Sequence, residues 1–297
     1  MSILQLDNLS KRYGSTVALR GLSLQVEPGS VYGLLGPNGS GKTTTLGLAL
    51  GVLRADGGMI RWFGQPMSSQ SKRRVGALLE TPNFFPYLSA RQNLLLAADV
   101  KQADPKTVDA ALDLAGLTAR QKDPFRSFSL GMKQRLALAS TLLGTPDVLV
   151  LDEPTNGLDP QGIAEVRELI QRLAAQGKTI IIASHLLDEI EKVCTHVAVL
   201  QRGELRAAGP VSSILASSDR VVLRVEPELG PSLLHALGQL PWVRDVRPET
   251  GGGHSAELTP GHSPAELNRA LFASGVVLAG LEVRQRSLEA QFLELTK

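Results

Sequence analysis

Cysteine, aromatic residues and unbalanced charge are all scarce in this sequence. Of its 297 residues only one is a cysteine, Cys194, and only two are Trp, three Tyr and seven Phe. A single cysteine excludes an intramolecular disulfide framework and suits a reducing compartment, where a free thiol is usually a small buried group. The formal net charge is +2, from 31 basic and 29 acidic residues. This balance argues against a nucleic-acid binder that depends on a basic surface over the whole chain, although it is compatible with a local basic patch.

Long apolar runs are also missing. Residues 1–10 contain no basic stretch followed by an apolar one, so they do not match a signal peptide. The longest apolar candidate, residues 271–283, is shorter than the ~20 residues that span a bilayer, and it contains Ser, Gly and Glu. We therefore expect a cytoplasmic chain that acts on a membrane, if it does, through a partner. With 43% hydrophobic and 20% charged residues, the composition predicts a substantial core, and the length allows two domains.

The first two thirds of the chain have an α/β pattern. From residue 3 to about residue 209, short apolar runs alternate with longer helical patterns. Continuous apolar runs predict buried parallel strands at residues 31–35, 147–153 and 178–184. Residues 88–143 have helical periodicity that is interrupted at Pro105 and Pro124. This region predicts a helical subdomain, at about residues 85–143, inserted into the sheet domain.

Near residue 215 the pattern changes, which divides the chain into domains of residues 1–214 and 215–297. The second domain has ten acidic and eight basic residues, so it is no basic nucleic-acid module. Its predicted elements follow the order β-α-β-β-α-β plus a final helix, which favours a small α/β domain of the ferredoxin-like type. The predicted strands are 221–225, 242–247, 255–259 and 276–283; the predicted helices begin at Ser232 and Pro264 and cover 287–296; a GGGH link lies at 251–254.

The sequence GPNGSGKT, residues 36–43, fits the phosphate-loop pattern G-x-x-x-x-G-K-[ST]. Its glycines allow backbone N–H groups to surround phosphate oxygens, and the following helix presents its positive end to them. Lys42 supplies a point charge for the outer phosphates, and the Thr43 hydroxyl can bind Mg²⁺. The predicted strand before the motif and helix after it provide the context that the pattern needs. The predicted phosphate-binding residues are Gly36, Pro37, Asn38, Gly39, Ser40, Gly41, Lys42, Thr43 and Thr44.

A second apolar strand supplies the other half of such a site. It carries Asp152 to its carboxyl end, where open α/β sheets bind ligands. Asp152 is predicted to hold Mg²⁺ directly or through water. Glu153, the next residue, is placed to orient or deprotonate an attacking water.

With these two halves in place, the chain resembles the ATP-binding cassette (ABC) family. Residues 129–135, SLGMKQR, match the family signature LSGGQ at the position before the second carboxylate strand. The resemblance implies that Ser129 and Gly131 meet the γ-phosphate across a dimer, although Ser129 is equally suited to cap the following helix. The chain departs from the pattern at Phe128, Leu130 and Met132.

Three further positions match the family in order. Residues 155–160, TNGLDP, resemble the D-loop, in which Asp159 helps to couple the sites of two subunits. His185 follows the third strand and matches the switch histidine that touches the γ-phosphate. Tyr13 occupies the aromatic position that stacks on adenine; taken alone, it is as compatible with a surface or core role.

Glu80 is the most informative departure from the family. A glutamine that senses Mg²⁺ and the attacking water usually ends the strand after the phosphate loop, and here that strand, residues 75–80, ends in glutamate. A carboxylate would bind Mg²⁺ more strongly than an amide but would repel the γ-phosphate. We hypothesise that Glu80 makes hydrolysis depend more on the partner; the alternative is a solvated loop acid.

Three aromatic residues, Phe84, Phe85 and Tyr87, lie within four residues of the following loop. They are equally suited to anchor a partner and to close the core beneath the helical region. Together with Glu80, the altered signature and the terminal SLEAQFLELT, this loop resembles the ATPases of bacitracin- and multidrug-type exporters. That likeness is looser than the one to the wider family.

The resemblance implies a P-loop NTPase cassette with a mixed sheet core, a helical subdomain and the small C-terminal domain. It implies hydrolysis of ATP with Mg²⁺, with Glu153, His185 and Lys42 as catalytic residues and with Thr43, Asp152 and Glu80 at the metal. It further implies a homodimer or heterodimer of ATPase subunits at the cytoplasmic face of the cell membrane. The partner it implies is a separate transmembrane permease of an exporter of drugs, antibiotics or lipophilic compounds, and no nucleic acid is expected.

Three alternatives remain at this point. A cassette ATPase acting on ribosomes normally has two cassettes in one chain, and this chain has one phosphate loop. One acting on DNA ends would have long heptad arms, and none is seen. An importer subunit differs mainly in its partner and often in its C-terminal domain.

Overall fold

The structure, a computed structural model, describes residues 2–79, 84–215, 220–249, 253–259 and 261–284. Glu80 and the predicted helix at 287–296 lie outside the described residues, as does part of the GGGH link. The chain forms two compact units, one up to Val211 and the other from Ser212.

Ten strands and seven helices form the described part of the first unit. The strands are β1 (Leu4–Tyr13), β2 (Thr16–Val26), β3 (Val31–Leu35), β4 (Gly57–Trp62), β5 (Gln65–Pro66), β6 (Val75–Leu78), β7 (Val148–Asp152), β8 (Thr179–Ser184), β9 (His196–Gln201) and β10 (Glu204–Pro210). The helices are α1 (Lys42–Ala49), α2 (Ser69–Arg73), α3 (Ala90–Lys101), α4 (Thr107–Leu114), α5 (Leu130–Thr141), α6 (Pro160–Ala175) and α7 (Leu187–Val193). A short helix, α8 (Val211–Leu215), follows at the boundary.

A six-stranded sheet in the order β10-β9-β3-β8-β7-β6 forms the centre of this unit. β9, β3, β8, β7 and β6 run parallel, and only β10 pairs antiparallel, with β9. Every residue of β3, β7 and β8 is buried, because helices and a second sheet leave neither face of these strands to water. The predicted strands at 31–35, 147–153 and 178–184 are therefore confirmed, with β7 and β8 slightly shorter than expected.

The second sheet is antiparallel, in the order β2-β1-β4-β5. The sequence interpretation did not identify it, because β1 carries bulges that interrupt the alternation of buried and exposed residues. The buried core between this sheet and the central one includes Trp62, which is fully buried. The Trp62 indole N–H donates a 2.7 Å hydrogen bond to the Ala49 carbonyl at the end of α1, which satisfies its polar group. The two layers thus hold the helix that follows the phosphate loop.

The helical region consists of α3, α4 and α5, and the two predicted interruptions lie outside these helices. Pro105 precedes α4, and Pro124 is extended and forms a bridge with Ser89. Ser89 begins α3 with a capping box that includes Gln92. Ser129 begins α5 and accepts a hydrogen bond from the Met132 N–H at 3.3 Å, so the capping role proposed for it is present.

The second unit contains β11 (Arg220–Arg224), α9 (Gly230–Gly238), β12 (Val243–Pro248), β13 (His254–Leu258), α10 (Pro264–Ala273) and β14 (Gly280–Arg284). Its four strands form an antiparallel sheet in the order β12-β13-β11-β14. This β-α-β-β-α-β succession and pairing is that of a ferredoxin-like fold. Its buried core includes Val221, Leu223, Leu237, Leu267 and Leu271.

One predicted strand of this unit begins in the wrong place. β14 starts at Gly280 rather than at Val276. Val276 is buried, and its N–H bonds to the Leu271 carbonyl, so it closes the end of α10 against the core instead of joining the sheet.

One absence and one burial bear on the expectations from the sequence. No helix in the described part of the chain has the length and apolar character to cross a membrane. Cys194 is buried, as expected, and burial raises the pKa of its thiol to about 12. Its thiolate is therefore scarce at neutral pH.

The central sheet generates a stability prediction at Gly76 in β6. A Cβ placed on Gly76 would lie 2.1 Å from the Thr141 carbonyl oxygen at the end of α5, a backbone atom that cannot move aside alone. We expect Gly76→Ala to lower the free energy of unfolding by about 1–3 kcal/mol, as overpacking does. Urea unfolding, followed by the fluorescence of Trp62 in a Trp242→Phe background, measures this change in the first unit.

The matched control is Gly57→Ala in β4, where the nearest atom to a new Cβ is a side-chain carbon at 3.9 Å. We expect its unfolding free energy to stay near that of the parent. Equal stability of the two variants would show that α5 and β6 are not held in close contact.

Candidate functional site

The carboxyl ends of β3, β7 and β8 meet at one edge of the central sheet. Leu35 at the end of β3 pairs with Ser184 at the end of β8, and Asp152 at the end of β7 pairs with Ala183. Because the three strands are parallel and in register, the residues that follow them lie at the same edge. The phosphate loop, Glu153 and His185 are these residues.

Glycine is required at two points of the phosphate loop. A Cβ on Gly36 would lie 2.3 Å from Ser40 Oγ and 2.4 Å from the Leu200 carbonyl oxygen. Gly41 has φ +107°, and a Cβ there would approach the Ala18 carbonyl oxygen at 2.9 Å. Pro37, Asn38 and Gly39 form the exposed outer part of the loop. The backbone of the loop is thus packed against two neighbouring segments on one side and open on the other.

The loop leads into α1, whose first turn contains no acidic residue. The positive end of this helix is therefore not offset by a side chain of its own, which suits it to an anion. Ser40 Oγ is buried and has no hydrogen-bond partner among the described residues. These features fit a phosphate group at the loop.

Lys42 reaches back over the loop. Its ammonium donates a 2.8 Å hydrogen bond to the Gly36 carbonyl and a longer one, 3.4 Å, to that of Pro37. It also lies 3.7 Å from Glu153 Oε1. Lys42 is almost fully buried, so its charge acts where little water screens it. Any phosphate in the loop would meet this charge.

Glu153, which follows β7, contacts side chains that follow the two other strands, β3 and β8. Its other carboxylate oxygen, Oε2, lies 2.9 Å from His185 Nδ1. The backbone of Glu153 is left-handed, with φ +47°, a conformation that costs a non-glycine residue of order 1–3 kcal/mol. Its N–H bonds to the Ala183 carbonyl at 2.8 Å, which holds the residue at the end of β8. The Glu153 carboxylate therefore stands between an ammonium and an imidazole and has two oxygens with which to accept a proton or orient water.

Of the three predicted metal-binding residues, Thr43 and Asp152 are among the described residues and Glu80 is not. Asp152 is buried at the end of β7, and Thr43 has an exposed position in the first turn of α1. The described residues include no cluster of three or more His, Cys, Asp or Glu side chains that could hold a metal ion alone. One carboxylate and one hydroxyl fit Mg²⁺, which usually takes its other ligands from substrate phosphates and water.

Ser129, Gly131 and Asp159 come together at a different place. They line a cavity of about 450 Å³, whose described lining includes no residue of the phosphate loop. Asp159 begins α6 and accepts a 2.8 Å hydrogen bond from the Gly162 N–H. Within one chain, the structure thus forms two groups of predicted site residues: one around Lys42 and Glu153, the other around Ser129.

Tyr13 lies at the end of β1, and 46% of its surface is exposed. The Lys11 ammonium is 5.3 Å from the centroid of its ring. An exposed aromatic ring can stack on a base, and a neighbouring cation favours negatively charged ligands.

Sequence reasoning missed two supporting residues. The buried Ser184 hydroxyl accepts a 3.0 Å hydrogen bond from the Leu186 N–H and so shapes the turn that contains His185. Arg135 in α5 donates to the Ala115 carbonyl and lies 3.3 Å from the Glu165 carboxylate of α6. The serine directly before His185 could have indicated the first, but the second depends on helix packing that the sequence does not show.

Of the two roles considered for the aromatic loop, the structure shows the core contact, and it leaves two rings exposed. Phe84 packs edge-to-face on Phe125 at 5.2 Å between ring centroids, as a core residue would. Phe85 and Tyr87 are 50% and 68% exposed. Asn93 of α3 holds this loop: its buried side chain accepts from the Phe85 N–H at 2.8 Å and donates to the Phe85 carbonyl at 3.1 Å. The loop therefore presents two aromatic rings on a fixed backbone.

Comparisons with known proteins agree with this geometry. Residues 19–156 match the family model for ABC transporters. The chain is 34% identical over 299 residues to YdbJ of Bacillus subtilis, an uncharacterized ABC transporter ATP-binding protein, with 99% of this chain and 95% of that protein covered. It is 44% identical to the bacitracin transport ATP-binding protein BcrA of Bacillus licheniformis, over 69% of this chain and 68% of the relative. It is 37% identical to the lantibiotic transport ATP-binding protein SrtF of Streptococcus pyogenes, over 68% of this chain and 89% of the relative.

The solved structures are similar in the same region. The cbiO1 subunit of the cbiONQ ABC transporter complex from Clostridium perfringens superposes with a TM-score of 0.65 at 31% identity, over 72% of this chain and 91% of that one. A dimeric cassette bound to ADP and phosphate shares the fold, with a TM-score of 0.63 at 23% identity, over 70% of this chain and 98% of that one. The near full-length relatives, the family model and the fold together show that this chain belongs to the ATP-binding proteins of ABC transporters.

Proposed function

We propose that this chain is the ATP-hydrolysing subunit of an exporter of antibiotics or similar lipophilic compounds and works with a separate transmembrane permease. The position of the Glu153 carboxylate, 3.7 Å from the Lys42 ammonium and 2.9 Å from His185 Nδ1, carries the enzymatic part of this proposal. The likeness to bacitracin and lantibiotic transport proteins supports the export part. An importer or a soluble ATPase has no comparable support.

In the proposed mechanism, the loop of residues 36–43 holds the phosphates of ATP. Lys42 exchanges its bond to the Gly36 carbonyl for the more strongly charged phosphate oxygens and stabilises the charge that develops on them. Glu153 accepts the proton of the attacking water, and His185, already within hydrogen-bond distance of Glu153, orients that carboxylate and meets the γ-phosphate. Tyr13 stacks on the adenine.

Mg²⁺ is the proposed cofactor. It would neutralise charge on the β- and γ-phosphate oxygens during the reaction. Thr43, Asp152 and Glu80 are the residues proposed to hold it, of which Glu80 lies outside the described residues. Asp152 is positioned for this by β7, since it ends the same buried strand that delivers Glu153.

Two ATPase subunits are proposed to complete each site. Ser129 and Gly131 lie on a cavity separate from the phosphate loop, so within one subunit they have no proposed contact with ATP. A second subunit facing the loop would bring its own Ser129, Gly131 and Asp159 to the γ-phosphate. Both halves are present in this chain, and the second subunit is therefore either another copy or a related chain.

The remaining parts of the proposal concern location and organisation. We place the chain peripherally at the cytoplasmic face of the cell membrane, with no role for nucleic acid. The exposed rings of Phe85 and Tyr87 are proposed to contact the permease. The domain division at residues 1–214 and 215–297 stays a proposal that lies close to the boundary between the two compact units.

The direct test of the partner is cross-linking of the tagged chain in intact cells, followed by purification from membranes and mass spectrometry. The expected partner is a polytopic permease that has no solute-binding protein associated with it. Recovery of ribosomal proteins or DNA in its place would refute the transport proposal. Recovery of a permease together with a solute-binding protein would instead support an importer.

Glu153→Gln tests the catalytic role. We expect ATP turnover to fall by a factor of about 10²–10⁴, the usual contribution of a general base, while ATP binding is retained. Dimers should then accumulate with ATP in size-exclusion chromatography with light scattering. Glu168→Gln, at an exposed position of α6, is the matched control and should leave turnover unchanged. A Glu153→Gln protein that remains monomeric with full turnover would contradict the mechanism.

Glu80→Gln tests the dependence on the partner. In the role proposed for Glu80, its carboxylate repels the γ-phosphate. Its removal should then raise the basal turnover about fivefold, since two unit charges about 4 Å apart interact by about 1 kcal/mol in water. Turnover with the permease should change less, so the stimulation factor should fall. Glu27→Gln, at an exposed position, is the control. The same stimulation factor in Glu80→Gln and the parent chain would remove Glu80 from this role.

A further inference from the structure

A cavity of about 330 Å³ in the first unit is lined by strands of both sheets. Tyr32 of β3 and His196 of β9 come from the central sheet, and Leu6 and Leu24 come from the antiparallel one. We call it the Tyr32 cavity. Tyr32 lies about 10 Å along β3 from Leu35, the residue that leads into the phosphate loop. The described lining includes no residue of that loop, so the cavity is separate from the catalytic edge.

The Tyr32 side chain is enclosed by protein, yet its hydroxyl has no partner among the described residues. Only 5% of the residue is exposed, and within that part of the chain no hydrogen bond reaches the hydroxyl. Burial raises the pKa of Tyr32 to about 12, so its hydroxyl keeps the proton at neutral pH. Buried hydroxyl groups usually have a partner, because one without it destabilises the fold. Tyr32 thus brings an unused donor to the cavity.

His196 brings an unused acceptor to the same cavity. Its ring is nearly parallel to that of Tyr32, with the planes 8° apart and the centroids 6.1 Å apart. His196 Nδ1 lies 3.0 Å from the Thr195 hydroxyl, which donates its single proton to the Val31 carbonyl at 3.1 Å and accepts from the Val31 N–H at 3.2 Å. Nδ1 must therefore carry the proton of the neutral ring, which leaves Nε2 as an acceptor. No other described residue forms a hydrogen bond with Nε2.

The described lining has one ionised side chain, Asp7, and it is already paired. Its carboxylate accepts a 3.0 Å hydrogen bond from the Arg61 guanidinium and a 3.1 Å one from the Gln5 amide. An anionic ligand would meet this carboxylate and no cation of the described lining. A cationic ligand would meet a carboxylate whose charge Arg61 already offsets. The cavity therefore favours a ligand without net charge.

The lining also indicates how the polar groups of the ligand are distributed. Ser23 and Gln25 of β2 add polar groups to those of Tyr32 and His196, so polar residues come from three strands. Several hydroxyl groups suit this lining better than a single amide, because each hydroxyl can both donate and accept. At about 30 Å³ for each non-hydrogen atom, as in liquid water, the cavity holds about ten such atoms.

We infer that the Tyr32 cavity binds a small uncharged polyol, of the size of a monosaccharide. One ligand oxygen accepts the hydrogen bond of the Tyr32 hydroxyl, and one ligand hydroxyl donates to His196 Nε2. The carbon atoms of the ligand pack on Leu6 and Leu24. This site is distinct from the one that binds ATP, and the inference does not depend on the proposed export.

The test is a titration of the full chain with D-glucose or myo-inositol, followed by the ring carbon–proton NMR signals of its five histidines. The His196 signal is assigned by its loss in His196→Gln. We expect this signal to shift and to saturate with a dissociation constant on the order of 1 mM, the affinity that ligand efficiency gives a molecule of this size. The signals of His235 and His262, which belong to the second unit, are the internal control and should not move.

Tyr32→Phe removes the hydroxyl and keeps the ring. We expect its dissociation constant for both probes to rise about fivefold, the net contribution of one hydrogen bond. Tyr87→Phe, which removes the hydroxyl of an exposed tyrosine, is the matched control and should bind as the parent does. Basal ATP turnover should be the same in all three proteins, which shows that the variants are folded.

D-glucosamine and D-glucuronate add a positive and a negative charge to the same sugar frame. We expect each to bind about tenfold more weakly than D-glucose, because the cavity does not offset either charge. Tighter binding of a charged sugar would overturn the assignment to an uncharged ligand. A His196 signal that shows no saturable shift with either neutral probe at about 100 mM, far above the expected constant, would overturn the site itself. Equal affinities of the parent and Tyr32→Phe would also contradict the inference.

Discussion

Parallel hydrogen bonding among β3, β8 and β7 is the constraint on which the site depends. The pairing of Leu35 with Ser184, and of Asp152 with Ala183, ends three strands at the same level of one sheet. Each strand is buried on both faces, so a shift in register would break the packing of two layers at once. Glu153 and His185 each follow a strand directly, and the phosphate loop connects β3 to Lys42. Backbone hydrogen bonds among these strands thus set the positions of the phosphate loop, Glu153 and His185, and side-chain contacts join Glu153 to Lys42 and to His185.

The electrostatics of this edge follow from the same arrangement. Lys42 is buried and bonded to the Gly36 carbonyl, and its ammonium lies 3.7 Å from a Glu153 carboxylate oxygen. The strained backbone of Glu153 is tolerated because its N–H is held by the Ala183 carbonyl. A phosphate at the loop would compete with Glu153 for the lysine, which would leave the carboxylate to water and to His185. Under the proposed mechanism, the same group is therefore a partner of Lys42 and the base of the reaction.

Much of this could be predicted from the sequence, because the signals are local. A continuous apolar run predicts a buried parallel strand, and the phosphate-loop glycines and Glu153 follow such runs immediately. The antiparallel sheet was missed because bulges in β1 disturb the alternation of buried and exposed residues. The predicted start of β14 was wrong because Val276, although apolar, packs at the end of α10 and does not join the sheet. The cavity that Arg73 and Lys101 line together could not have been foreseen. Arg73 and Lys101 are far apart in the chain and meet only when two helix ends pack beside β6.

Helix α5 connects the two surfaces that the proposed function requires. Ser129, the signature serine, caps its first turn, and the Ser140 carbonyl near its last turn accepts the hydrogen bond from Lys101. The twelve residues of α5 span about 18 Å. Under the proposed function, a permease that displaced the Ser140 end of α5 would also move Ser129 relative to the γ-phosphate of the facing subunit. In this view the helical region is a lever with the partner contact at one end of α5 and the nucleotide contact at the other.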